Sequence, residues 1–307
     1  MKNKILLLKD LFDTENIPNY KLEIAMESLI DEDYPWALQH IDELCYDAFN
    51  TIPLSYKERH LLRFVKLTSP CVKKCNTIED KKNTECHIIK DIINNEITLS
   101  SPKKFNDPMD PLIKIWLADR KNKNKDKIER KTYQFIDNTI DKIRICCMAS
   151  QKTKEILQSK QYIYNTLMWS HYADSHKGIC IQYKVSPSQF KDEKNRIIRL
   201  LDVNYNKKFP LNGDIFFTDS LVVKSNYWKY ENETRIIMYS NKKEDEYCQL
   251  SSGFDIEAIY MGCEINNCQR KCIKEILKAK DTSIKLYQMQ FSKENISILE
   301  SHEIPLN

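Results

Sequence analysis

The chain has 307 residues, 41% hydrophobic and 10% aromatic, with 48 basic side chains against 44 acidic ones and a net charge of +4. That length suits one large domain, or one domain with an extension, and that apolar share supports a packed core. The near balance of charge gives no electrostatic footprint for nucleic acid, and the apolar runs fall far short of a membrane span. The basic start carries only Ile5-Leu6-Leu7-Leu8 as an apolar core, too short for a signal peptide.

Eleven cysteines, odd in number and placed on apolar strand-like segments (Cys146, Cys147, Cys180) or singly on helices, point to free thiols in a reducing cytoplasm. Four glycines leave no G-x-x-x-x-G-K-[ST] loop and no G-x-G-x-x-G turn, so the common phosphate cradles are missing.

In chain order, residues 20–63 read as helices. Leu22, Ile24, Ala25, Leu29 and Ile30 suit one amphipathic face, and Trp36, Ala37, Ile41, Leu44 and Cys45 suit a second. Pro53 breaks the pattern, and Ser55 can cap a third helix over residues 56–64. Residues 71–83 are a lysine-rich loop, and a short helix with Ile88, Ile89, Ile92 and Ile93 on its apolar side starts at Thr84. Residues 97–100 form a strand that runs into a rigid turn with two prolines and an Asn-Asp pair. The run 121–127 alternates Lys with Asn or Asp and reads as a solvated helix end or loop.

Residues 143–148 are a buried strand and 152–175 are helical. Strands follow at 179–185 and 197–205, then a polar loop with Gly213. Further strands are expected at 234–239, 247–250, 256–261, 283–291 and 296–301, with a helix at 266–280. Strands grouped between irregular helices argue for an α+β fold. A mixed or antiparallel sheet with surrounding helices and an N-terminal helical extension is expected. The division expected is a helical extension over 1–61, packed through Trp36 and the leucines, and an α+β domain over 62–307.

Two stretches concentrate chemistry. Residues 167–181, LMWSHYADSHKGICI, place two His, a Tyr, an Asp and a Lys beside the start of a strand. One imidazole there could move protons or bond a ligand. The structural alternative is a helix C-terminus with Gly178 as cap and His and Lys against the dipole. Residues 224–235, KSNYWKYENETR, carry Glu231, Glu233 and Arg235 at alternate positions, which share one face in an extended chain. Two carboxylates and a guanidinium could bind a ribose or a cationic transition state, while Trp228 and Tyr230 offer stacking surfaces. A solvated strand edge with an internal Glu233–Arg235 pair is the alternative.

Residues 105–110, FNDPMD, let Asn106 and Asp107 form Asx turns or close one wall of a pocket. No metal is expected, because neither Cys71-x-x-x-Cys75 with Cys86-His87 nor Cys263, Cys268 and Cys272 have a usual zinc spacing.

These ordered motifs resemble the prokaryotic domain-of-unknown-function family 2971, over roughly residues 62–302. The matching segments are Phe64-Val65-Lys66-Leu67 as an opening strand, residues 105–110, residues 145–150, residues 167–181, then Lys224, Trp228, Tyr230, Glu231, Glu233 and Arg235, and finally residues 256–262. The family implies no established activity. A fold-level analogy to ADP-ribosyltransferases adds a direction. It would give Arg63 or Lys66 the NAD phosphate, Ser100-Ser101 the support of the NAD site, and Glu231 and Glu233 the ribose.

The resulting expectation is a polar pocket with His171, Tyr172, Glu231 and Glu233 as catalytic residues. Lys66, Asn106, Asp107, Lys177, Trp228 and Arg235 would bind ligand. NAD or another nucleotide would be the substrate of a glycosyl or ADP-ribosyl transferase, or of an NAD hydrolase, in a defence or toxin context. The alternative is a non-catalytic interaction module in which the charged motifs are a structural ion network. Its protein partner would meet the N-terminal helices.

Overall fold

A computed structural model describes residues 8, 12, 17–67, 86–107, 110–111, 127–151, 163–190, 196–206, 217–240, 242–280, 283–292 and 299–306. Expectations for 71–83, 121–126, 152–162, Thr84 and Gly213 lie outside the described residues. The elements run α1 (Asn19–Ile30), α2 (Tyr34–Asn50), β1 (Arg59–Val65), α3 (His87–Asn94), β2 (Ile97–Ser100), α4 (Lys127–Ile140), β3 (Ile143–Gln151), α5 (Thr166–Tyr172), β4 (Ile179–Val185) and β5 (Arg196–Asp202). They continue with β6 (Asn204–Asn206), β7 (Val223–Ser225), β8 (Glu233–Ser240), β9 (Tyr247–Leu250), β10 (Phe254–Met261), α6 (Asn267–Lys280), β11 (Lys285–Phe291) and β12 (Leu299–Glu303). The fold is α+β with mixed strand pairing, as the element pattern implied.

The chain divides into two compact units. The first comprises Met1–Ser55, Leu99–Cys146 and Asp192–Cys248; the second comprises Tyr56–Thr98, Cys147–Lys191 and Gln249–Asn307. Residues 1–55 cluster with two later segments, and β1 begins at Arg59, close to the expected boundary between residues 61 and 62.

In the first unit, α2 is started by Asp33, whose carboxylate accepts the Trp36 N–H, with Pro35 in the first turn. Its buried face is Ala37, Ile41, Leu44, Cys45 and Phe49; that of α1 is Leu22, Ala25, Met26 and Leu29. Trp36, expected in that face, is 54% exposed and stacks on His40. Ile24 also turns outward.

All eight residues of β8 are buried, and it pairs antiparallel with β5. Its apolar run is Ile236–Tyr239, while Glu233, Thr234, Arg235 and Ser240 are buried polar residues. Phe49 of α2 stacks on Tyr239 of β8 at 5.2 Å. Asp42 accepts the Tyr239 hydroxyl at 2.9 Å and pairs with Lys142. The Arg199 guanidinium donates to the Ile52 carbonyl at 2.9 Å. Hydrogen bonds and ring contacts therefore tie the N-terminal helices to the strands of this unit.

In the second unit β4 pairs antiparallel with β1 and β10, β10 pairs parallel with β11 through the crossover helix α6, and β12 lies antiparallel on β11. Helix α6 buries Cys272, Ile273, Ile276 and Leu277, spaced for one helix face. Asp91 of α3 is fully buried and accepts from Arg63 at 2.9 Å, from the Thr98 N–H at 3.1 Å and from the Thr98 hydroxyl at 2.6 Å.

A third helix over 56–64 is not formed. Residues 59–65 are β1, paired with β4 over seven positions. Leu61, Leu62 and Val65 satisfy a helical spacing, but the cross-strand pairing decides the conformation. The family resemblance, by contrast, placed a strand close by at 64–67. Residues 197–205 divide at Val203 into β5 and β6. Among the described residues, no helix is long and apolar enough to cross a membrane.

Candidate functional site

A buried charge cluster occupies the first unit. Ser225 starts a 3₁₀ turn over Asn226–Glu231, its hydroxyl accepting the Tyr227 N–H. The turn ends at Asn232, which adopts a left-handed φ of 44°. Asn tolerates that conformation better than most residues with a Cβ. The chain reverses its course there, and β8 begins at Glu233.

Glu231 is thus not a strand residue, and the alternation invoked to align it with Glu233 does not operate. The kink at Asn232 aligns them instead. Lys224 Nζ of β7 lies 2.6 Å from Glu231 Oε2, 3.1 Å from Glu233 Oε2 and 3.3 Å from Asp110 Oδ2. Arg235 Nε donates to Glu233 Oε1 at 2.8 Å, and its terminal nitrogens donate to both oxygens of Asp110 and to the Leu221 carbonyl.

Arg235 is fully buried, and Lys224, Glu231, Glu233 and Asp110 are each under a tenth exposed. Burial on its own would depress the Lys224 ammonium, but Glu233, Asp110 and Glu231 outweigh it and hold that group well above its usual range. Lys224 is therefore a fixed cation and not a proton acceptor near neutrality. The Tyr205 hydroxyl accepts the Glu233 N–H at 2.8 Å, and burial, with the nearby carboxylates, pushes its phenol upward.

Aromatic rings flank the cations. Trp228 stands 5.2 Å from Lys224 Nζ, and Phe105 5.6 Å from the Arg235 guanidinium carbon. The 105–110 motif contributes here through its ends, Phe105 and Asp110. Asn106 caps the Asp107 N–H, and the Asp107 carbonyl accepts the Asp110 N–H, so both shape the turn that presents Asp110. Asp110 and Lys224 were not among the expected site residues. Their signal was position: each stands at the margin of a motif whose centre drew the assignment.

The other candidates lie in the second unit. His171 is exposed on α5 and Tyr172 is half-buried beside it, with rings 6.2 Å apart edge to face. Lys177 is exposed, and Lys66 forms a surface pair with Asp174 at 3.4 Å. Such an exposed pair contributes little. Arg63 is engaged by Asp91. The expected pocket joined His171 and Tyr172 to Glu231, Glu233 and Arg235. The two groups belong to different compact units.

The HYADSHKG stretch has a structural logic of its own. Helix α5 ends at Tyr172 with Ala173 as its cap, after which Asp174, Ser175 and His176 take left-handed φ values of 51°, 53° and 67°. Ala173 caps the helix, not Gly178 as the structural alternative had it; Gly178 serves close approach. A Cβ there would sit 2.2 Å from the Val65 carbonyl oxygen. Gly262 meets the same turn, since its Cβ would sit 2.1 Å from the His176 carbonyl oxygen. The His176 ring stacks on Trp169 at 6.2 Å, and its Nε2 faces the Ser170 hydroxyl at 3.2 Å. Its Nδ1 is buried with no hydrogen-bond partner among the described residues, and burial lowers its pKa.

Among the described residues, no three His, Cys, Asp or Glu side chains are grouped to hold a metal ion. Cys71 and Cys75 lie outside the described residues.

Residues 168–236, from the His-Tyr motif to the residue after Arg235, match the model of a family described as protein of unknown function (DUF2971). The resemblance drawn from the ordered motifs holds over that stretch. No curated protein and no solved structure matches the chain.

Proposed function

We propose that the Asp110–Lys224–Glu231–Glu233–Arg235 cluster is a structural ion network and that the protein works as a binding module. One observation carries this reading: both Glu233 oxygens are already held, Oε1 by Arg235 and Oε2 by Lys224, and Arg235 is fully buried. A carboxylate that stabilises a ribosyl cation needs an oxygen facing the substrate. The partner is a protein that meets the N-terminal helices, where Tyr20, Ile24 and Trp36 are exposed.

A second reading rests on the aromatic rim. Trp228 covers Lys224, and Tyr230 lies 6.1 Å from Trp228. That rim suits a nucleotide ring above a carboxylate pair. It supports an ADP-ribosyltransferase-like enzyme or NAD hydrolase in a defence or toxin context, with Glu233 released when substrate displaces Lys224.

One experiment separates the two. The full chain is incubated with NAD, products are followed by mass spectrometry, and Glu233→Gln is melted alongside the parent. The network reading expects no NAD consumption and a melting temperature lowered by about 5 °C or more. NAD turnover that Glu233→Gln abolishes at unchanged melting temperature would establish the enzyme instead.

A further inference from the structure

We propose that a cleft built wholly within the second unit binds a mononucleotide, a planar ring carrying one anionic group. The cleft measures 720 Å³, inside the range of about 300–1,000 Å³ usual for small-molecule sites. This inference uses none of the ion-cluster residues and stands whichever reading of that cluster holds.

The polar wall of the cleft comes from an irregularity in β10. Its register with β4 shifts between Ile256 and Ala258, so Glu257 is the extra residue of a bulge. Bulges re-aim a side chain that regular pairing would direct elsewhere. Glu257 Oε2 meets His60 Nδ1 at 2.7 Å and accepts from the Gln182 amide at 2.8 Å. Gln182 Oε1 in turn accepts the Tyr260 hydroxyl at 3.1 Å. With Nδ1 facing Glu257, Nε2 is the ring nitrogen left for a ligand, an acceptor in the tautomer that carries its proton on Nδ1. His60 lines the cleft and is about a third exposed. A ring amino or hydroxyl group can donate to it.

The apolar wall is a pair of stacked rings. Tyr260 and Tyr287 lie 4.8 Å apart with planes 13° from parallel. Tyr260 is tied at its hydroxyl to Gln182, and Tyr287 stands opposite Glu303 of β12 in the strand register. Tyr260, held at both ends, and Tyr287 stacked on it form a fixed stacking surface, which lowers the ordering cost of binding a planar base.

Charge selects the third feature. Lys184, Lys280 and Lys285 line the cleft against Asp255 and Glu257, one more cation than anion among the Lys and acidic side chains. Lys184 is committed to Glu58 at 3.1 Å, and Lys280 donates to the Ile92 carbonyl at 2.7 Å. Lys285 is exposed and lies two positions before Tyr287, on the same strand face. It is the ammonium best placed to take an anion beside a ring stacked on Tyr287. An acceptor nitrogen, an anchored aromatic surface and an exposed cation together match a heterocycle with a donor group and a phosphate.

The test titrates the full chain with AMP, GMP, CMP and UMP by calorimetry. Adenosine and inorganic phosphate form separate arms. At least one mononucleotide should bind saturably, with the nucleoside and phosphate alone about tenfold weaker or worse. Lys285→Glu should weaken binding about tenfold or more, and Tyr287→Leu similarly, each with thermal melting to confirm folding. Lys271→Glu, on an exposed part of α6 outside the cleft, should leave binding unchanged. Absence of saturable binding by all four mononucleotides would overturn the proposal. So would phosphate binding as tightly as the nucleotides, or a Lys285→Glu variant that binds normally.

Discussion

Lys224 Nζ lies 2.6 Å from Glu231 Oε2, with both side chains nearly inaccessible. They are joined by a 3₁₀ turn, and the same ammonium reaches Glu233 and Asp110. Removing one member of such a buried network leaves charge behind, which costs about 3–5 kcal/mol. Lys224→Met should therefore lower the melting temperature by about 10 °C. Lys224→Met combined with Glu231→Gln should lose less than the sum of the single variants, as coupled partners do. Additive losses in a double-mutant cycle by thermal melting would show that the pair is uncoupled.

The turn after α5 makes two glycines irreplaceable for a packing reason. At Gly178 and Gly262 the atom nearest an added Cβ is a backbone oxygen, at 2.2 and 2.1 Å. Backbone cannot rotate away as a side-chain end can. Gly178→Ala and Gly262→Ala should each cost about 1–3 kcal/mol or more. Denaturant midpoints that match the parent would contradict this.

His176 supplies a pH dependence whose sign is fixed by its burial. Its folded pKa is lowered below the usual 6.5, with desolvation the main cause and Glu264 opposing. The folded protein then binds fewer protons than the unfolded chain. Stability from this group is complete above about pH 6.5 and is lost as pH falls through the lower folded value. The variant His176→Asn keeps a residue that tolerates left-handed φ and carries no titrating ring. Between pH 7.5 and 5.5 it should lose less stability than the parent. Equal losses in urea unfolding at the two pH values would exclude His176 as a contributor.

Deletion of residues 1–55 should expose the Phe49 contact on Tyr239 and strip Asp42 from Lys142 and Tyr239. The truncated chain should bind a hydrophobic dye and melt at a lower temperature with reduced cooperativity. A truncation that melts as sharply as the full chain would instead support residues 1–61 as a separable extension.

Local pattern revealed those elements whose burial alternates or runs unbroken. Ile179–Val185 and Tyr247–Leu250 begin and end where the sequence placed them. The failure at Arg59–Val65 has a definite cause, because Leu61, Leu62 and Val65 fit both periods and only the pairing with β4 settles the choice. The helix Lys127–Ile140 was obscured by the charged run before it, and the 3₁₀ turn at Asn226–Glu231 lacks any repeat long enough to register.

At the candidate site, Glu233 and Arg235 were legible as a pair because they alternate within one strand. Glu231 was assigned to the right group by the wrong geometry, since a left-handed Asn232 does what strand alternation was expected to do. Asp110 was hidden because its role depends on a partner 125 residues away. The acid at 257 in the proposed cleft acquires its direction from a bulge, which no local spacing announces.

The order of the segments also bears on how the chain is made. Each unit is assembled from three pieces, and the joins fall at 55/56, 98/99, 146/147, 191/192 and 248/249. During synthesis the first unit lacks its last piece until residue 248 has left the ribosome, and β1 waits for β4 more than a hundred residues downstream. Such late-arriving pairings slow folding and leave strand edges open in the interval. No single contiguous stretch encodes either unit, so neither can be cloned as an uninterrupted fragment.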